Sequence, residues 1–180
     1  MGTNDAHCAA AARLGTLLGE RGIRVVFGGG QVGLMGILAD AAMAAGGTVF
    51  GVIPNHLDEI EIGHPNVTEL RVVDNMHTRK ELMFRESDAF AILPGGLGTM
   101  DETFEILTWR QLGLHDKPII IVNEGAYWTP LLHLFDHISA NGFARDGLSD
   151  LYRVVESVEA ILPAIEAAPE PTVTTNIERF

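Results

Sequence analysis

The sequence predicts an α/β fold, a parallel sheet flanked by helices, on three observations. Short apolar runs alternate with helix-patterned stretches along the chain, the order that a parallel sheet covered on both faces produces. Two of those runs, 23–27 and 89–93, lead straight into glycine turns, and ligands of such sheets bind beyond the carboxyl ends of strands. Finally, 180 residues with 47% hydrophobic content can bury a sizeable core within one domain.

The elements follow in order. Residues 9–21 read as a helix with Leu14, Leu17 and Leu18 on one face, ended by Gly22. Residues 23–27 form a strand, and Gly28-Gly29-Gly30 turns into a helix over 32–45, rich in Ala, Leu and Met. Gly46-Gly47 stops that helix. A strand over 48–53 closes at Pro54, a loop with charges and histidines spans 58–68, and 69–73 form a short strand. A helix over 76–87 precedes the strand at 89–93, and a further helix spans 99–112. Pro118 is tolerated at the start of the strand 117–123. A helix over 127–141, a strand over 151–155 and a last helix over 157–167 complete the domain, 1–167. Residues 168–180 read as a loose tail.

The formal net charge of −12 argues against general nucleic-acid or membrane-surface binding. No stretch is apolar over a bilayer-spanning length. Residues 1–12 have no basic start and no sustained apolar core, so the cytoplasm is expected. A single cysteine, Cys8, provides neither an internal disulfide nor a metal framework. His56, His64 and His77 lack metal-ligand spacing and read as polar surface. His133 and His137 read as a helix face, since no H-E-x-x-H accompanies them. No metal is expected.

The segment Leu93-Pro94-Gly95-Gly96-Leu97-Gly98-Thr99-Met100-Asp101-Glu102 is the most informative. A glycine turn feeding a helix N-terminus presents free N–H groups and positive dipole, which suits phosphate. Glu102, one turn into the helix, adds a carboxylate with catalytic potential. The spacing Thr99-x-x-Glu102 equally fits a capping box, in which both side chains bond first-turn amides. Gly28-x-Gly30-x-x-Gly33 fits the dinucleotide pattern, but the next strand ends in Val52-Ile53-Pro54-Asn55 with no carboxylate before Asp58, so a dinucleotide is not expected. Neither glycine loop carries the Lys-Ser or Lys-Thr of a P-loop. Arg79 offers a planar fork suited to phosphate or carboxylate. Spacing alone favours a surface ion pair with Glu81 or Glu86.

Three blocks together resemble the Lonely Guy family of cytokinin riboside 5′-monophosphate phosphoribohydrolases. They are Phe27-Gly28-Gly29-Gly30-x-x-Gly33-Leu34-Met35-Gly36, Met76-His77-Thr78-Arg79-Lys80, and Pro94-Gly95-Gly96-Leu97-Gly98-Thr99-Met100-Asp101-Glu102. The last matches the family signature P-G-G-x-G-T-x-x-E. The resemblance covers roughly residues 15–167. It implies a Rossmann-like doubly wound sheet, a homodimer, no cofactor, and hydrolysis of nucleoside 5′-monophosphates such as AMP or isopentenyladenosine monophosphate to free base and ribose 5-phosphate. It maps the catalytic arginine and glutamate onto Arg79 and Glu102. It assigns nucleotide contacts to Glu61, Lys80, Gly95, Gly96, Leu97, Gly98, Thr99 and Thr108, with Gly29, Gly30, Gly33 and Met35 of the first block as further candidates. Family members begin with an apolar strand, central in the sheet, before the first helix. Here residues 1–7 lead straight into that helix, so the usual first strand is not expected within this sequence.

Two other readings compete. The wider superfamily includes molybdenum-cofactor carriers, which hold a phosphate-bearing ligand with the same glycine turns. Lysine decarboxylation fits poorly, since it needs pyridoxal phosphate on a lysine and the only lysines are Lys80 and Lys117.

Overall fold

The computed structural model describes residues 4–57, 63–144, 147–170 and 172–173. The chain divides into two compact units, Met1–Ser87 and Asp88–Phe180, and each is an α/β layer of its own.

The first unit opens on α1 (Asp5–Glu20). The helix starts ahead of the apolar pattern because the Asn4 side chain accepts the N–H of Ala6. It ends before Gly22, whose φ is 65°. Next come β1 (Val25–Phe27), α2 (Leu34–Ala44), β2 (Val49–Pro54), the single turn α3 (Asn55–Leu57), β3 (Glu69–Val73) and α4 (Met76–Arg85). The strands pair in parallel in the order β1-β2-β3. All six residues of the central strand β2 are buried, as expected of a strand covered on both faces. Helices α1 and α2 meet through small residues. A side chain at Gly15 would stand 2.3 Å from the Leu38 carbonyl oxygen, and one at Gly19 would stand 2.4 Å from that of Ala42.

The second unit comprises β4 (Phe90–Ile92), α5 (Leu97–Gln111), β5 (Ile119–Val122), α6 (Thr129–Ala140), β6 (Arg153–Val155) and α7 (Ile161–Glu166). Its strands run parallel in the order β4-β5-β6. Every residue of β5 is at most 1% exposed. Ile119 and Ile121 pack with Ile92, Leu107, Trp128, Leu131 and Phe135; each large apolar side chain so buried contributes about 1.5–3 kcal/mol before entropic costs.

The expected elements are present, but as two three-stranded parallel sheets. In each, among the described residues, the strand preceding the glycine turn, β1 or β4, pairs on one side only. Among the described residues no strand precedes α1.

Each unit also buries one histidine. His64, expected on the surface, is 1% exposed. Its Nδ1 accepts the N–H of Asn66 at 3.4 Å, which leaves the proton on Nε2, 3.1 Å from an Asp40 carboxylate oxygen. In the second unit His115 Nδ1 accepts the N–H of Lys117 at 3.2 Å and Nε2 donates to the Ile106 carbonyl at 2.9 Å. Both rings close a local turn and tie it to a helix, which explains why polar groups sit at core depth. Of the expected tail, Thr172 and Val173 donate their N–H groups to the Asp116 carboxylate; 171 and 174–180 lie outside the described residues.

Candidate active site

The signature turn sits between β4 and α5. The helix begins at Leu97 with Gly96 as N-cap and no side-chain cap. Thr99 is therefore the third helical residue. This corrects the capping-box reading, which needs Thr99 itself at the N-cap. The first intrahelical bond runs from the Met100 N–H to the Gly96 carbonyl, so the amides of Leu97, Gly98 and Thr99 have no acceptor within the helix. They form the donor set that suits a phosphate. Gly96, Leu97 and Gly98 are exposed. Gly95 is half-buried, and a side chain there would stand 2.1 Å from Thr99 Oγ1. Its carbonyl accepts the Tyr127 hydroxyl at 2.7 Å.

Glu102 is half-buried on the second turn of α5, and Thr108 is exposed further along the same helix. Glu105 and Trp109 are half-buried.

Arg79 lies on α4 of the first unit. Asn75 caps that helix, its side chain accepting the Thr78 N–H at 2.9 Å. The surface ion pair favoured by spacing is not formed: Arg79 is 7% exposed, Glu81 pairs with Arg85 and Glu86 with Arg24. Nη2 of Arg79 donates to the Gly28 carbonyl at 3.1 Å, Nη1 lies 3.6 Å from Met76 Sδ, and the buried Nε has no hydrogen-bond partner. Among the described residues the guanidinium has no carboxylate partner. A cation held this deep gains most from an anionic ligand.

The first glycine turn is what admits Arg79. A side chain at Gly28 would meet Nη2 at 1.9 Å. Gly29 and Gly30 are buried: the Gly29 carbonyl accepts the His64 N–H at 2.9 Å, and Gly30 bridges Gly63. Gly33 caps α2 with φ 77°, and Met35 packs on the core beside Phe27 and Val49. Lys80, the next residue on α4, is half-buried. Glu61 lies outside the described residues. The structure thus groups Arg79 with the first turn, and Glu102, Thr99 and Tyr127 with the second. Among the described residues no group of three His, Cys, Asp or Glu side chains could hold a metal ion.

Tyr127 and the buried Asn123 were not singled out from the sequence. The signal available for them was Asn123-Glu124-Gly125-Ala126 directly after an all-apolar strand, a turn composition at the carboxyl end of β5.

Residues 35–165 match a family described as possible lysine decarboxylase. A cytokinin riboside 5′-monophosphate phosphoribohydrolase of Rhodococcoides fascians is 44% identical over 158 residues, 87% of this chain and 80% of that protein. This chain belongs to the Lonely Guy family. A rice enzyme of the same name, from Oryza sativa subsp. japonica, is 41% identical over 170 residues, covering 94% of this chain and 70% of its own length. A second rice relative, 51% identical, is covered over only 61% of its length. Among solved structures, the molybdenum cofactor binding protein of Rippkaea orientalis superposes with a TM-score of 0.70 at 20% identity, over 92% of this chain and 90% of that one. The molybdenum cofactor carrier protein of Chlamydomonas reinhardtii gives 0.68 at 21%, over 91% and 88%. Those likenesses establish the Rossmann-like fold; the sequence relatives place the chain with the Lonely Guy proteins.

Proposed function

We propose that this chain hydrolyses the N-glycosidic bond of nucleoside 5′-monophosphates, with AMP and isopentenyladenosine monophosphate as candidate substrates, in the cytoplasm where such nucleotides are held. The observation that carries the reading is the buried Arg79, a fixed positive charge with no carboxylate partner among the described residues. The open helix N-terminus after Gly96 supports it, as a receptor for the 5′-phosphate.

In this reading the bond from ribose C1′ to the base nitrogen breaks, its electron pair leaves with the base, and a cation-like sugar develops. The Glu102 carboxylate stabilises that charge and takes a proton from the water that adds to C1′. Arg79 and Lys80 hold the anionic substrate, and the Gly95–Thr99 turn holds the phosphate, with Thr108 and Glu61 as further contacts. Solvent supplies the proton that the departed base nitrogen needs and takes back the one held by Glu102, so the products are free base and ribose 5-phosphate. Base release from AMP and from isopentenyladenosine monophosphate, followed by chromatography, tests the reaction. Glu102→Gln is expected to abolish release while AMP still binds. Tight co-purification of a pterin without base release would favour the carrier reading.

We also propose a homodimer. Leu97 and Phe104 of α5, and Leu112 at its C-cap, are 82%, 39% and 60% exposed, and an apolar stripe of that kind calls for a packing partner. A monomer on gel filtration at micromolar concentration would sink this part.

A further inference from the structure

The loop after β5 concentrates three unfavourable features in a few residues. Ala126 has φ 61°, the one positive value at a non-glycine position among the described residues, where an L side chain is strained. Trp128 is 4% exposed and its indole N–H is buried without an acceptor, a costly omission. Tyr127, between them, is held outward with 39% of its surface exposed.

The loop is nonetheless tightly determined, and Asn123 determines it. Asn123 is 7% exposed. Its N–H donates to the Val155 carbonyl of β6 at 2.8 Å, and its own carbonyl accepts the Ala126 N–H at 2.9 Å. Its side-chain oxygen accepts the Trp128 N–H at 2.8 Å and its amide donates to Thr129 Oγ1 at 3.3 Å. The Trp128 ring lies edge-on to Tyr127, with centroids 4.9 Å apart. The result is a rigid bracket with one outward product: the Tyr127 hydroxyl, 2.7 Å from the Gly95 carbonyl.

That one bond orients the whole turn. The peptide joining Gly95 to Gly96 is planar and trans, so fixing its C=O toward Tyr127 fixes the Gly96 N–H in the opposite direction. The next three amides belong to the first turn of α5 and follow from Gly96. Glycine at 95 and 96 leaves the turn free to swivel unless something outside it holds on. Strain that persists because the surroundings over-determine it is a mark of a working site.

We propose that Tyr127 is a positioning residue: through Gly95 it sets the amides of the Gly96–Thr99 turn for the phosphate of the substrate. This rests on the phosphate-binding reading of that turn. The expectation is a phosphate-selective defect. Binding of AMP and of adenosine is measured by calorimetry on the natural chain and on Tyr127→Phe, with thermal melting of both. Tyr127→Phe is expected to weaken AMP about 5–20-fold and to leave adenosine unchanged, with base release from AMP showing a raised KM and a nearly unchanged kcat. Ala126→Gly, which removes the strain but keeps the phenol, is expected to melt higher and also to bind AMP more weakly. Equal weakening of AMP and adenosine, or no change in either, overturns the role of Tyr127. If the natural chain binds AMP no better than adenosine, the phosphate reading itself fails, and the role of Tyr127 falls with it.

Discussion

The two glycine turns look alike in sequence and do opposite things. Each follows the first strand of a three-stranded parallel sheet and leads toward a helix. The first is closed on itself: the Gly28 carbonyl takes Arg79, the Gly29 carbonyl takes the His64 amide, and Gly30 bridges Gly63. The second is open, with exposed residues at 96–98 and first-turn amides that lack helical acceptors. The difference lies in which half of the peptide faces outward. The first turn uses the Gly28 carbonyl oxygen to seat a cation and that of Gly29 to hold a backbone amide. The second presents N–H groups to an anion. Glycine supplies the conformational freedom for both, and so the glycine pattern alone does not distinguish them.

The sharpest way to break this contrast is at Gly28. Ala there would put a methyl group 1.9 Å from Arg79 Nη2, the far end of a flexible side chain. Gly28→Ala is therefore expected to fold, losing under about 1 kcal/mol, while base release falls about 100–1,000-fold. Steady-state kinetics beside a melting curve checks both halves; undiminished turnover would mean that the seat of Arg79 is irrelevant. The second turn should respond in stability. Gly95→Ala drives a methyl group into Thr99, 2.1 Å from Oγ1 and 2.6 Å from Cβ, and is expected to cost about 1–3 kcal/mol. Gly96→Ala meets nothing within 4 Å and should stay within about 0.5 kcal/mol. Urea unfolding of the pair distinguishes a packed position from an open one.

The smallest effect comes from His115. Burial, opposed by its bond to Ile106 and reinforced by Arg110 and Lys117, lowers its pKa below 6.5, with Asp116 pulling the other way. Above about pH 6.5 the ring is neutral folded and unfolded, and it adds no pH dependence. Below that, the unfolded chain takes up a proton that the folded one resists, so stability falls as pH falls, by at most about 1.4 kcal/mol per unit. His115→Gln should flatten the acid slope of the unfolding free energy. An unchanged slope would show that the ring does not carry it.

Much of this was legible in the sequence. Apolar runs such as Ile119–Val122 and the glycine punctuation after Phe27 and Leu93 announced alternating helices and strands. The signature around Glu102 announced the family. Other features depended on burial, which spacing does not encode. Arg79 has acidic neighbours in sequence, yet the chain turns it inward and pairs those acids elsewhere. His64 sits in a charged loop and looked like surface, but a local N–H and Asp40 together make its burial tolerable. The start of α5 was misplaced because Thr99 resembles a cap, whereas the chain is already helical at Leu97. Tyr127 acts through a carbonyl 32 residues away, a relation that no local pattern carries.

The seam between α1 and α2 has a consequence for how this chain can change over generations. At Gly15 and Gly19 the backbone of one helix lies against carbonyl oxygens of the other, with no layer of side chains between them. Elsewhere in a core, a larger residue on one side can be offset by a smaller one opposite. Here a smaller side chain opposite brings no relief, since the nearest atoms are the main-chain carbonyl oxygens of Leu38 and Ala42, with the methyl groups of Ala41 and Ala45 beside them. Lineages are free to vary the outer faces of both helices, but along this line they are confined to the two smallest residues, and drift there meets a wall rather than a slope.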